Sequence, residues 1–231
     1  MRQLLLDLPT EKPQTLSNFE IGSNAELCAL LRRLAERSTA LALSERFVYC
    51  WGEPGSGKTH LLRALATHDG VYFLNHASSL ADFANQADRT DHVLTVIDDC
   101  DRLSAEQQTE AFALFNRIRD TNGALVTSGT LPPASLTLRE DLRTRLGWGL
   151  IYHLHVLSDD QKIAALTQAA QTRGFALASG VLPYLLTHFH RDMRSLSAML
   201  DALDRYSLET KRAVTLPLLR ELLQRESTPE A

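Results

Sequence analysis

Cysteine is scarce in this chain and follows no pairing pattern: Cys28, Cys50 and Cys100 form no C-x-x-C motif, and three thiols cannot close a disulfide framework. They read as reduced, mostly buried, small apolar residues. Long apolar runs are missing as well. No stretch approaches the roughly 20 residues that span a bilayer, and the N-terminus lacks the charged, apolar and small-residue order of a signal peptide. A cytoplasmic protein with no membrane contact is expected. There is no excess of positive charge either: 24 Lys and Arg against 28 Asp and Glu give a net charge of −4, which argues against a protein whose main task is coating DNA. His60, His153, His155, His188 and His190 stand at no spacing with cysteine or carboxylate that holds a metal. No repeat or low-complexity tract appears.

What remains is ordinary globular material. With 231 residues, 44% of them hydrophobic and 23% charged, there is room for one large domain or one domain plus a small one. The informative stretch is Phe47 to Thr59. An apolar, aromatic-rich run of strand character ends at Gly52, and the next eight residues read G-x-x-x-x-G-K-T, with Gly52, Gly57, Lys58 and Thr59 at the spacing of a phosphate-binding loop. Backbone N–H groups must converge on phosphate oxygens without Cβ atoms in the way, hence the glycines at Gly52, Gly55 and Gly57. Lys58 places a point charge on the β- and γ-phosphates, and the Thr59 hydroxyl is set to bind Mg²⁺. The helix that starts at Lys58 aims its positive end at the same anion. Ser56 and His60 flank these residues and are assigned with them to an ADP or ATP site. An ordinary Gly-rich turn between a strand and a helix is the alternative.

Around this loop the hydrophobic period alternates. Residues 1–14 hold an apolar burst, Gln3-Leu-Leu-Leu-Asp-Leu8, then Pro9 and Pro13, and read as an extended arm. A loop over 15–24 leads to a helical pattern from Ala25 to Leu41. Strands are expected at Gly70–Asn75, at His92 to Asp98, at Ala124–Ser128 and at Leu150–Leu154. Helices between them are expected near Ser79–Gln86, after the capping box Ser104-x-x-Gln107, and through Leu142 and Leu146. Such alternation with continuous apolar strands predicts an α/β fold, a five-stranded parallel sheet covered on both faces. From Ser158, where a second capping box Ser158-x-x-Gln161 opens, only helical patterns follow. The expected domains are therefore an arm (1–14), a nucleotide-binding α/β domain (15–157) and an all-helical domain (158–231).

Asp98 and Asp99 end an apolar strand at the edge where parallel sheets place their ligands. Asp98 fits the residue that holds the nucleotide's Mg²⁺ together with Thr59, and Asp99 the one that orients a water at the γ-phosphate. A polar helix cap after a buried strand is the plainer account of both.

With GEPGSGKTHLLRAL, a strand ending in Asp-Asp and a helical C-terminal part, the chain resembles the AAA+ ATPases of the bacterial initiator DnaA group. TLSNFEIGSNAEL is similar to the segment that packs near the adenine in that group, LRTRLGWGLIYHL to its box VII, and HFHRDMRSLSAMLDAL to its lid helix. The likeness runs from about residue 15 to 225 and implies an AAA+ fold with a helical lid. A full initiator would add a partner-binding domain before this region and a helix-turn-helix domain after it, so a short regulatory member of the group is expected. The resemblance implies that Arg145 is an arginine finger acting on a neighbouring subunit's nucleotide and that Arg194 is the sensor-2 arginine reaching the phosphates of its own. It also implies that Gln3, Leu4, Leu6 and Leu8 dock on the β subunit of the replication sliding clamp, where leucines on a flexible arm fill an apolar pocket.

The function so implied is a nucleotide-binding negative regulator of replication initiation that, tethered to clamp-loaded DNA, stimulates hydrolysis of DnaA-bound ATP. It is compatible with a homo-oligomer. The competing reading is a helicase-loader or transposition-helper ATPase gripping single-stranded DNA. Two departures from the group stand out. Its usual Asp after the sensor-1 Thr-Ser is replaced in Thr127-Ser128-Gly129, which implies at most a weak ATPase, and its aromatic near Leu16 is absent.

Overall fold

A computed structural model describes residues 14–36, 41–78 and 94–227. The chain divides into two compact units, one ending at Leu154 and the other beginning at His155.

In the first unit five parallel strands, β1 (Phe47–Trp51), β2 (Val71–Leu74), β3 (Leu94–Ile97), β4 (Ala124–Gly129) and β5 (Leu150–His153), lie in the order β2-β3-β4-β1-β5. Strand periodicity sorts the side chains of β1 between two cores. Phe47 and Tyr49 face one side, where Phe115 and Leu114 of helix α3 (Ala105–Asp120) and Leu142 of α4 (Glu140–Leu146) pack. Val48 and Cys50 face the other, against Leu27 and Leu31 of α1 (Ala25–Ala35) and Leu61 and Leu62 of α2 (Lys58–Leu65). Both faces are covered, which is why the strands read as continuous apolar runs. The three cysteines are buried and free.

The second unit is built from α5 (Asp159–Thr172), α6 (Val181–His188), α7 (Met193–Thr210) and α8 (Leu216–Ser227). Leu182, Leu185, Leu196, Leu200, Leu203 and Leu218 form the centre of its core. Both expected capping boxes close. Ser104 Oγ accepts from the Gln107 amide at 3.2 Å while Gln107 Oε1 accepts from the Ser104 amide at 3.0 Å. Ser158 and Gln161 repeat the exchange at 3.2 and 2.9 Å.

The first helix is shorter than its expected span to Leu41. It ends at Ala35, because the apolar stripe that rewards helix formation stops at Leu34 and Ala35. Beyond it a 3₁₀ turn over Leu43–Arg46 takes over, held by Arg33 on Glu45 at 2.9 Å. α6 ends at His188, where Phe189 takes an extended conformation, so His190 lies outside it. The expected helix near 79–86, residues 92 and 93, and the arm carrying Gln3, Leu4, Leu6 and Leu8 lie outside the described residues.

Candidate functional site

The loop from β1 to α2 has the backbone a phosphate cradle requires. Gly55 and Gly57 take φ of +82° and +96°, a left-handed conformation that side chains disfavour. At Gly52 the constraint is space: a Cβ there would stand 2.6 Å from the Leu154 carbonyl oxygen. Lys58 is buried, and its ammonium donates to the carbonyls of Gly52 at 2.7 Å and Glu53 at 3.0 Å. Two of its three donors are thus used inside the loop and one is left for an anion. Burial pulls the Lys58 pKa below the usual lysine range, against the opposing fields of Asp99, Asp98 and Asp101. Ser56 is buried with an unpartnered hydroxyl oxygen. A buried polar group without a partner calls for an explanation, and a ligand at the loop supplies one.

Asp98 and Asp99 follow directly on β3. Asp98 is only 4% exposed and accepts from Ser128 Oγ at 2.5 Å; the same hydroxyl oxygen accepts from the Asp99 backbone amide at 3.0 Å. Ser128 therefore fixes both carboxylate residues from the neighbouring strand. Asp99 has a left-handed φ of +53°, and its carboxylate lies 3.7 Å from Arg102. Burial first, then Asp98 and Asp101, push its pKa up, against Arg102 and Lys58. Lys58 follows β1 and Asp98 and Asp99 follow β3, so all three stand at the C-terminal edge of the parallel sheet, where each feels the others' charge. Thr127, by contrast, turns its hydroxyl to the Val48 carbonyl at 3.2 Å and is spent on joining β4 to β1.

The segment before α1 reaches the cradle. His60 Nε2 is 3.1 Å from the Thr15 carbonyl oxygen, the Phe19 and His60 rings are 5.4 Å apart, and a Cβ at Gly57 would collide with Phe19 at 2.7 Å. Phe19 is thus an aromatic over the cradle, three residues beyond the position where one is missing in the sequence. At Gly129 a side chain would meet the Tyr49 hydroxyl at 2.1 Å. The carboxylate absent from that position has no room, because Tyr49 reaches past it to donate to the Leu131 carbonyl at 2.8 Å. No local sequence pattern announces either contact.

Arg145 stands on a different element from these groups, in the last turn of α4, half-buried with its guanidinium 5.7 Å from the ring centres of both Phe112 and Phe115. It lines an open hollow with Phe112, Arg139, Glu140, Asp141 and Thr144. Arg194 is exposed in the first turn of α7 in the helical unit, next to the N-cap where Asp192 accepts from the Ser195 amide at 2.9 Å. Thr59 is half-buried, one residue after Lys58.

Comparison with known proteins fits this architecture. Residues 71–153 match the family of the bacterial DnaA ATPase domain, and residues 159–223 match that of the Hda lid domain. The chain belongs to the DnaA-related AAA+ proteins. An uncharacterized protein of Haemophilus influenzae is 34% identical to it over 232 aligned positions, covering 96% of this chain and 98% of that one. Among solved structures, the replication initiator DnaA bound to AMPPCP and single-stranded DNA superposes with a TM-score of 0.69 at 20% identity, over 84% of this chain and 66% of that one. Domain III of the Thermotoga maritima DnaA gives 0.68 at 21% identity, over 94% and 98%. A Thermotoga maritima RuvB variant gives 0.68 at 16% identity, over 93% and 72%. At these identities the structures speak for the AAA+ fold alone. This DnaA-related chain spans about two thirds of the length of the AMPPCP-bound initiator.

Proposed function

We propose that this protein is a nucleotide-dependent regulator of replication initiation that docks on the sliding clamp and stimulates hydrolysis of DnaA-bound ATP. The observation that carries the reading is the cradle itself, with left-handed glycines, a Lys58 ammonium that keeps one of its three donors free of the loop and an orphaned Ser56 hydroxyl, in a chain whose helical unit matches the Hda lid family. ADP or ATP would supply the phosphate charge these groups lack. Lys58 and the amides of residues 55–59 bind it, Thr59 and Asp98 hold its Mg²⁺, and Asp99 orients a water where hydrolysis occurs. The AMPPCP in a structurally similar initiator supports an adenine nucleotide here. His60 and Phe19 border the site, and Arg194 keeps the sensor-2 role that the resemblance implies.

Own hydrolysis is at most weak in this reading, since Gly129 leaves no carboxylate after Ser128. The work falls on Arg145, offered to the ATP of a DnaA partner, while Gln3, Leu4, Leu6 and Leu8 tether the protein to the β clamp on DNA. A helicase loader would need the same Lys58, Thr59, Asp98 and Asp99. The lid match favours the regulator.

An arginine acting in trans on a transferring phosphoryl group contributes about 10³–10⁵ in rate. Arg145→Ala should keep ADP binding and clamp retention and lose the stimulation of DnaA hydrolysis on clamp-loaded DNA. Gln3→Ala with Leu4→Ala should lose clamp retention at unchanged ADP affinity. Undiminished stimulation by Arg145→Ala rejects the mechanism.

A further inference from the structure

The carboxylate turn and the helix that carries Arg145 are fastened to each other at two points outside the phosphate loop. After Asp99 the chain makes a 3₁₀ turn over Cys100–Arg102. From this turn Asp101 Oδ2 accepts both the Thr130 hydroxyl, at 2.5 Å, and the Thr130 amide, at 3.3 Å. Thr130 is the first residue beyond β4 and opens the connection to α4. At the far end of that connection Gln108 bridges the two segments: its Nε2 donates to the Leu103 carbonyl and its Oε1 accepts from the Arg139 amide, each at 3.0 Å. Arg139 is the N-cap of α4, six residues before Arg145. Between the two fastenings the chain is stiff. Pro132 and Pro133 lead into a 3₁₀ turn over Pro133–Ser135, and a side chain at Gly147, the C-cap of α4, would begin 3.7 Å from Pro133.

Stability alone does not account for Asp101. Its second oxygen, Oδ1, is buried without a partner, 3.6 Å from where a side chain at Gly129 would begin. A neutral amide would hold Thr130 without burying half a carboxylate, so the charge costs stability that a purely structural contact would not require. What the charge adds is a stronger, charge-assisted hold on Thr130. Ser128, two residues earlier, is bonded to Asp98 and Asp99, so the exit of β4 is tied to the carboxylate pair on one side and to the connection on the other.

We propose that Asp101 and Gln108 are positioning residues that form a two-point clasp, through which the state of the Asp98–Asp99 turn sets the position of Arg145. The proposal rests on the reading that Arg145 acts on a partner's nucleotide. It adds that a ligand at the cradle determines whether Arg145 is presented.

Hydrogen exchange on the full chain, with and without Mg²⁺-ADP, tests the clasp. In the wild type, exchange of the 129–146 backbone should slow on ligand addition by at least about threefold. Asp101→Ala and Gln108→Ala should each abolish that ligand-dependent slowing while ADP affinity stays within about threefold and exchange in β1 is unchanged. Asp101→Asn keeps an acceptor for Thr130 and should restore part of the effect. Should Asp101→Ala fail to fold, Thr130→Val, which removes only an exposed hydroxyl, takes its place. Stimulation of DnaA hydrolysis should fall about tenfold in each Ala variant, and the double variant should fall no further than the singles, the signature of a shared path. Ligand-dependent slowing that survives in both single variants, or is absent from a wild type that binds ADP, overturns the clasp. Slowing that depends on Asp101 and Gln108 in a wild type that does not stimulate DnaA leaves the clasp standing and removes the Arg145 reading.

Discussion

The two units spend their interiors differently. Among the described residues, the buried polar and charged residues Asn24, Ser56, Lys58, Thr95, Asp98, Thr127 and Ser128 all belong to the α/β unit, whereas the buried residues of the helical unit are aliphatic apart from Met199 and Tyr206, whose hydroxyl is bonded to Glu221. Four of the seven, Ser56, Lys58, Asp98 and Ser128, gather at the C-terminal edge of the sheet. The helices are held by packing, caps and ion pairs such as Arg173 on Asp201, and the sheet edge by hydrogen bonds that leave oxygens of Ser56 and Asp101 unpaired. Buried groups of that kind lower stability unless something binds them. The lesson is that the sheet edge is built to be completed by a ligand and the helical core is complete as it stands.

The comparison breaks most visibly in the helical core. Leu200 is 1% exposed there, and Leu200→Ala should cost about 2–5 kcal/mol through lost burial and the cavity left behind. Urea unfolding measures it, and a loss under about 1 kcal/mol would mean that the core is looser than its packing indicates. Lys58→Ala should do the opposite kind of damage. It removes the loop's only cation, so whatever the change in the free protein, the variant should lose the ligand's contribution, about 2.7 kcal/mol at a ligand concentration of 100 times Kd. Thermal melts with and without Mg²⁺-ADP read this directly, and equal ligand shifts in variant and wild type would contradict the cradle.

The smallest effect sharpens the contrast. Because the folded-state pKa of Asp99 is raised, its neutral form is favoured by the fold. That contribution is fully present below the ordinary aspartate pKa and is lost as pH rises through the folded value. Asp99→Asn removes the penalty of ionisation, and Asn accepts the left-handed φ at this position. The nucleotide-free variant should melt roughly 1–3 °C higher than wild type at pH 7, as a sub-kcal/mol change does in a chain of this length. The advantage should vanish near pH 3–4. A gain independent of pH would assign the effect to backbone conformation alone.

Much of this protein is legible in local spacing. G-x-x-x-x-G-K-T, the alternation of strand and helix, both Ser-x-x-Gln boxes and the Asp-Asp at a strand end are relations among residues a few positions apart, and hydrogen bonding or side-chain periodicity over that distance follows from the chain itself. The end of α1 was harder to read, since Leu41 still packs against the same core although the helix has ended at Ala35.

Relations between distant segments were decided by the tertiary structure. That Ser128 would hold Asp98 and Asp99 while Thr127 faces Val48 depends on the register of β4 between β3 and β1, across 30 and 79 residues of sequence. Phe19 comes to lie over Gly57, and Tyr49 to fill the space beside Gly129, only once separate elements pack. A sequence encodes such contacts through the whole core at once, so no short window contains them. The periodicity determined which elements form and where the phosphate loop lies; packing decided which polar atoms meet at the sheet edge, because their partners are brought there by strands and helices formed elsewhere in the chain.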